Sequence, residues 1–219
     1  MAKAFVRQTS GVHALGVDPS RGALLELLIQ KKSLWEQYQA GGIVGYVITG
    51  LFIFGVILTL IRLFGLMSIS RQVRAQMKSS TPGNNPLGRI MKVYLENKDA
   101  DVENLELKLD EAILKETPKI EWGIGIVKVL AALSPMLGLL GTVTGMIGTF
   151  QAITLFGTGD PKMMAGGIST ALVTTVLGLI SAIPLIFLHS LLAGQSRSII
   201  HILEEQSAGL IAQHAEKES

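Results

Sequence analysis

Leu137-Gly138-Leu139-Leu140-Gly141-Thr142-Val143-Thr144-Gly145-Met146-Ile147-Gly148-Thr149 lies inside a run without a charged residue that extends from Lys128 to Asp160. A second such run, from Lys162 to Arg197, follows after only Asp160-Pro161-Lys162. Each exceeds 30 residues, which as helix is roughly 45 to 50 Å against a hydrocarbon core of about 30 Å. Both therefore read as transmembrane helices longer than the membrane is thick. The link Phe156-Gly157-Thr158-Gly159-Asp160-Pro161-Lys162 is short and rich in Gly and Pro, so the two helices should form an antiparallel hairpin.

A third charge-free run lies upstream, between Glu36 and Arg62, and its core from Ile43 to Ile61 is about 19 residues, one bilayer crossing. The whole chain of 219 residues is 48% hydrophobic and 16% charged, with a mean hydropathy of +0.45, which is too apolar for a soluble domain of this size. The fold class expected is an all-α membrane protein with three transmembrane helices, the second and third running on into the cytoplasm beside small cytoplasmic helices. The absence of cysteine excludes disulfides and thiolate metal sites, and a net charge of +2 implies no nucleic-acid partner. The first residues, Met1 to Arg7, are followed by Ser, Gly, His and Asp and do not read as a signal peptide.

Positive charge follows the first span at Arg62, Arg71, Arg74, Lys78, Arg89 and Lys92, and the third at Arg197, while the hairpin link carries only Lys162 against Asp160. By the positive-inside rule this gives an N-terminus outside and a C-terminus inside. The expected segments are 1–40 periplasmic or interfacial, 41–64 transmembrane helix one, 65–125 cytoplasmic, 126–157 helix two, 158–162 a periplasmic turn, 163–194 helix three and 195–219 a cytoplasmic tail. Residues 18–40 read as a helix at the outer interface, with Leu24, Leu25, Leu27, Leu28, Leu34, Trp35 and Tyr38 as its apolar and amphipathic side chains. A breaker cluster from Ser79 to Pro86 ends helix one; short helices are expected over Pro86–Asn97 and Asp101–Glu116. In the latter, Leu105, Leu109, Ala112 and Ile113 share one face, which should dock on the protruding ends of helices two and three.

On helix two, Gly138, Thr142, Gly145 and Thr149 recur at four, three and four residues as a stripe of small and hydroxylated residues; Gly167, Ala171, Thr174 or Thr175, Gly178 and Ala182 form another on helix three. Such stripes let membrane helices approach closely, and packing alone accounts for Gly138, Gly141, Gly145, Gly167 and Gly178. For Thr142, Thr144, Thr174 and Thr175 two readings stand side by side: hydroxyls returned to their own helix, or a narrow polar path. Proton and ion paths in membranes are generally marked by titratable groups, and the spans offer only His189 near one end. The carboxylate for any proton path would therefore belong to another chain. No Walker loop, HExxH, nucleophile elbow or metal-spaced cluster suggests an enzyme or a cofactor.

Leu139-Leu140-Gly141-Thr142-Val143-Thr144-Gly145-Met146, then Gly166 to Leu172, then Gly178-Leu179 and Ala182-Ile183-Pro184, resemble the MotA/TolQ/ExbB proton-channel family over roughly residues 40–210. Asp18 to Gly22, Leu105 to Ala112 and Glu204 to Gly209 are similar to the long form of its ExbB branch. The resemblance implies a pentamer in the inner membrane of a Gram-negative cell around the helices of an ExbD-like dimer, coupled to a TonB-like protein. It further implies that a one-span ExbD-like partner supplies the proton-carrying Asp and that Thr142 and Thr175 face it. Where short ExbB and TolQ proteins carry Glu in the motif of helix three, this chain has Thr170, which favours relay by hydroxyls and water and makes Thr170 a candidate pore or interface residue. Long members carry a further periplasmic region and a signal sequence upstream, as expected if this chain is truncated or processed. A TolQ-like or motility-type stator and a non-conducting scaffold are the alternative readings, the three spans counting against the four-span flagellar form.

Overall fold

The computed structural model describes residues 33–157 and 161–218, without the side chains of 161–163, 217 and 218. The chain divides into two units, residues 1–39 and 40–219. In the first, the described part is the helix α1, Leu34–Gln39. Its start is a capping box: the Ser33 N–H donates to Glu36 Oε2 at 2.9 Å and the Glu36 N–H donates to Ser33 Oγ at 3.2 Å. Trp35 and Tyr38 stack one turn apart, with centroids 5.5 Å from each other. The rest of the helix expected over residues 18–40 lies outside the described residues, as does most of the link at 158–162.

The second unit contains α2 (Gly42–Gln76), α3 (Pro86–Glu96), α4 (Val102–Glu121), α5 (Ile124–Phe156) and α6 (Pro161–Glu218). Its described residues are all-helical, and α2, α5 and α6 are each long and apolar enough to cross a membrane. Two of them outrun the expected spans. α2 continues past residue 64 to Gln76, and α6 runs unbroken from Pro161 to Glu218, absorbing what reads as a tail. At 58 residues α6 is about 87 Å long, nearly three times the hydrocarbon thickness.

These extensions exist because they have something to bury. Beyond the apolar spans, Leu66 and Val73 of α2, Leu87 and Ile90 of α3, Leu105, Leu109 and Ile113 of α4, and Leu192, Ile199 and Leu203 of α6 form one core. The α4 helix docks its apolar face on α6 and α3. It passes the expected stop and continues through Pro118 to Glu121. Proline there removes the N–H that the carbonyl of Leu114, an exposed residue, would otherwise accept from.

The turns are held by side chains. Asn85 caps α3 by accepting from the Gly88 N–H at 2.8 Å, with Pro86 in the first turn. Gln76, 5% exposed, donates to Ser79 O at 3.1 Å and Thr81 O at 2.8 Å and accepts from the Gly83 N–H at 2.8 Å and Asn85 Nδ2 at 3.0 Å. One amide thus organises the whole breaker cluster. Between α4 and α5 the chain turns at Gly123, whose φ of +79° suits glycine alone. Arg62 lies over this turn, donating from Nη2 to Ile120 O at 2.6 Å, with its guanidinium carbon 5.6 Å from the centre of the Trp122 ring.

Candidate functional site: the α5–α6 seam

The candidate site is built on the closest helix contact in the molecule. Ser134, Gly138, Gly141, Gly145 and Thr149 are the buried residues of α5 in this region, at spacings of four, three, four and four, so Gly141 takes the place that the stripe read from the sequence gives to Thr142, which is turned about 100° out of the seam. A Cβ added to Gly138 would stand 3.0 Å from Thr174 O and 3.3 Å from Thr175 Cα. One at Gly178 would stand 2.8 Å from Ser134 O and 3.1 Å from Gly138 Cα, and one at Gly145 2.8 Å from Gly167 O. Backbone therefore touches backbone along the seam, the contact that glycine makes possible where lipid gives no hydrophobic drive to association. At Gly141 the added carbon would overlap the Oγ1 and Cβ of Thr174, and at Gly167 the Oγ1 of Thr149. Two threonines fill notches left by two glycines.

Every candidate hydroxyl uses its proton on its own helix. Thr142 donates to Leu139 O at 2.6 Å, Thr144 to Leu140 O at 3.0 Å, Thr170 to Gly166 O at 3.1 Å, Thr174 to Ala171 O at 2.9 Å and Thr175 to Ala171 O at 3.3 Å. What each has left is oxygen lone pairs, so any outward role is that of an acceptor. The residues differ in where those lone pairs face. Thr174 is fully buried in the notch of Gly141, and its oxygen is spent within the hairpin. Thr142, Thr170 and Thr175 are half-buried and Thr144 is exposed.

Helix geometry sorts them further. In an antiparallel pair of right-handed helices, the residue after a seam residue turns to the same side of the seam on both helices. Thr142 follows Gly141 and Thr175 follows Thr174, so both stand on one flank, within about one 5.4 Å turn of each other in depth. Thr144 precedes Gly145 and Thr170 precedes Ala171, which puts them on the opposite flank. α2 packs on that opposite flank, where a Cβ at Gly45 would lie 3.2 Å from Leu177 Cδ1. α2 leaves the flank of Thr142 and Thr175 open, bordered by the exposed Leu139, Leu172 and Leu179, and on the other flank it packs at Leu177 and leaves Thr144 exposed. The polar pair sits in an apolar surround.

The sequence pattern of the MotA/TolQ/ExbB proton channel family matches residues 82–205, the stretch that contains this hairpin. The chain belongs to this family. It is 31% identical over 177 residues to a biopolymer transport protein ExbB homolog of Methanothermobacter thermautotrophicus, an alignment covering 73% of this chain and 63% of that one. Biopolymer transport protein ExbB of Pseudomonas putida is 26% identical over 209 residues, covering 84% of this chain and 62% of the relative. Tol-Pal system protein TolQ of Pseudomonas aeruginosa is 29% identical over 102 residues, 47% of this chain and 44% of the relative. The chain therefore spans less than two thirds of the length of each of these relatives. Family membership and the three apolar helices together make it a multi-pass membrane protein.

Two ionic features lie outside the seam and escape a reading by periodicity. Glu116, only 4% exposed, accepts from Arg89 Nε at 2.8 Å and Arg89 Nη2 at 2.6 Å, and from Lys119 Nζ at 2.8 Å. The Arg89 hydrogen bonds hold its carboxyl below the usual glutamate range, with Lys119 assisting against the cost of burial. This bidentate clasp ties α3 to α4. Arg62 is the other, a cation at the end of the first apolar run that the charge count treats as topology alone and that instead binds the α4–α5 turn.

Proposed function

We propose that the chain is the channel-forming stator subunit of an ExbB-type motor in the inner membrane, where several copies surround the transmembrane helix of a one-span, ExbD-like partner. The observation that supports this most strongly is the open flank of the α5–α6 hairpin, where Thr142 and Thr175 present acceptor oxygens side by side in an apolar surface. The spans themselves contain no carboxylate or ammonium group. Two hydroxyl acceptors without a titrating group suit a wall against which another chain's carboxylic acid can donate while protonated and through which water can reach it. Thr170, on the other flank and in the position of the family Glu, serves contacts between helices in this scheme, and Thr174 serves the seam.

In this reading the N-terminus faces the periplasm, the C-terminus and the core of α3, α4 and α6 lie in the cytoplasm, and five copies form the ring. Proton flow down the membrane gradient drives the partner, and a TonB-like protein carries the work to outer-membrane transport. The names of relatives support the ExbB branch more than the Tol branch. Deleting the chain from its host and measuring two phenotypes tests the assignment. Loss of energised outer-membrane uptake with an intact envelope is expected; detergent sensitivity with normal uptake would place the chain in a TolQ-like role instead.

A further inference from the structure

A cavity of about 310 Å³ lies between α2 and α6 where both helices leave their apolar spans. Met67, Ser70, Arg71 and Arg74 line it from α2, and Gln195 and Ser198 from α6. The intervals of three and four residues put the α2 side chains on one helical stripe. Two cations thus face one pocket without a counter-charge: α2 contains no Asp or Glu, and α6 has none before Glu204. Among the described residues Arg71 and Arg74 make no ion pair or hydrogen bond through their side chains, whereas Arg62 is tied to the α4–α5 turn and Arg89 to Glu116. Ser70, Gln195 and Ser198 likewise have their side-chain donors unengaged.

The depth of the pocket is that of the polar layer of a bilayer. On α2 the exposed Tyr46 and Phe64 bracket about 27 Å of helix, close to the hydrocarbon thickness of about 30 Å. The backbone of Arg71 and Arg74 lies about 10 to 15 Å beyond Phe64. Side chains on a helix lean toward its N-terminus, which here is toward the membrane, so both guanidinium groups rise back to headgroup level. On α6, Gln195 and Ser198 follow one to two turns after Leu191, the last large exposed apolar side chain of that helix among the described residues. Above the pocket the α2 stripe continues at three- and four-residue steps through the exposed Phe64, Leu60, Ile57 and Ile53. The exposed Leu191 and Phe187 continue the row of Gln195 at steps of four. Charge at the foot of an apolar strip matches a molecule with a phosphate at one end and acyl chains at the other.

We infer that this pocket is a binding site for an anionic phospholipid in the leaflet on the side of α3 and α4. Arg71 and Arg74 neutralise its phosphate with guanidinium forks, and Gln195 and Ser198 donate to the remaining oxygens from α6. Its acyl chains lie on Phe64, Leu60 and Leu191. A free phosphate would use the cations and leave the apolar strip idle, and a zwitterionic lipid would bring its own ammonium against two arginines. The inference rests on the membrane-spanning fold and is independent of the stator reading.

Native mass spectrometry of the full chain in its assembled form, released from micelles doped with phosphatidylglycerol or with phosphatidylcholine of equal chain length, tests the site. Phosphatidylglycerol should be retained in preference, saturating at one per chain. Arg71→Gln combined with Arg74→Gln should weaken its binding about tenfold or more. Lys78→Gln combined with Lys92→Gln removes the same charge outside the pocket and should change binding by less than about twofold. All four side chains are on the surface, and the mass of the protein alone checks assembly in each variant. Undiminished binding in the arginine variant would overturn the site. Equal losses in the arginine and lysine variants would reduce it to diffuse attraction between a basic surface and anionic lipid, and equal retention of phosphatidylcholine would remove the charge from the recognition. Inorganic phosphate held as tightly as the lipid would make the pocket a soluble-anion site and end the inference as well.

Discussion

Gly141→Ala perturbs the seam at one of its two threonine-filled notches. The added methyl carbon meets Thr174 at Oγ1, Cβ and Cγ2 together. Thr174 cannot turn away, because it is β-branched, fully buried and bonded to Thr170 O and Ala171 O. The clash must therefore be relieved by separating the helices, which places it near the upper end of the range of about 1–3 kcal/mol for overpacking. The better helix propensity of alanine returns up to about 1 kcal/mol, leaving about 2 kcal/mol of net destabilisation. Gly148 is the control, since a Cβ there meets nothing within 4 Å, and Gly148→Ala should be neutral or mildly stabilising. Because Thr174 is the obstacle, Thr174→Gly should compensate Gly141→Ala, with a coupling energy of about 2 kcal/mol in a double-mutant cycle. Reversible unfolding in mixed micelles with graded SDS, followed by circular dichroism, measures all four species. If Gly141→Ala is as stable as Gly148→Ala, or if the double mutant is simply additive, the notch is not what holds the hairpin together.

Three further outcomes follow from separate parts of the molecule. Thr142→Val and Thr175→Val, which remove the oxygen at nearly constant shape, should abolish energised uptake while the detergent-solubilised oligomer keeps its size; normal uptake in both would remove them from the path. Glu116→Ala removes hydrogen bonds to a charged partner, but Arg89 is 41% exposed along its side chain and can turn to water, so the cost should be about 1.5 kcal/mol. Since the folded carboxyl titrates below the ordinary value near 4.3, its stabilisation is complete above that pH and is lost as pH falls through the lowered value; a thermal-shift series from pH 7 to pH 3 should lose the difference between parent and variant at the acid end. Gln76→Ala should speed hydrogen exchange over residues 78–85 without affecting the α5–α6 seam, and unchanged exchange there would show that the loop is held by something other than the amide.

The membrane helices and the seam were legible in the sequence because both follow from one-dimensional rules. Charge gaps mark crossings, and glycines at three and four residue intervals mark close approach. The full length of α6 was not read: Leu192, Ser196, Ile199, Leu203, Ser207 and His214 are buried at helical spacing, but serine and histidine among them disguise the stripe, and residues 195–219 read as a tail. What periodicity alone did not sort was the threonines. Thr174 and Thr175 are neighbours with the same chemistry, and which one enters the seam depends on the rotation of α6 about its axis, set by the partner glycine at 141. Likewise Arg62 is a tertiary clamp because the α4–α5 turn folds back beneath it. Each is a property of packing in three dimensions.

In the proposed stator this chain supplies the wall and its acceptor oxygens while the proton-carrying carboxylate comes from another. Proton flux into liposomes holding this chain alone, and then this chain with a one-span partner bearing a membrane Asp, measures that division directly. Flux is expected only with the partner present and should vanish when its Asp is replaced by Asn. Equal flux from the chain alone would mean that it needs no partner carboxylate to conduct.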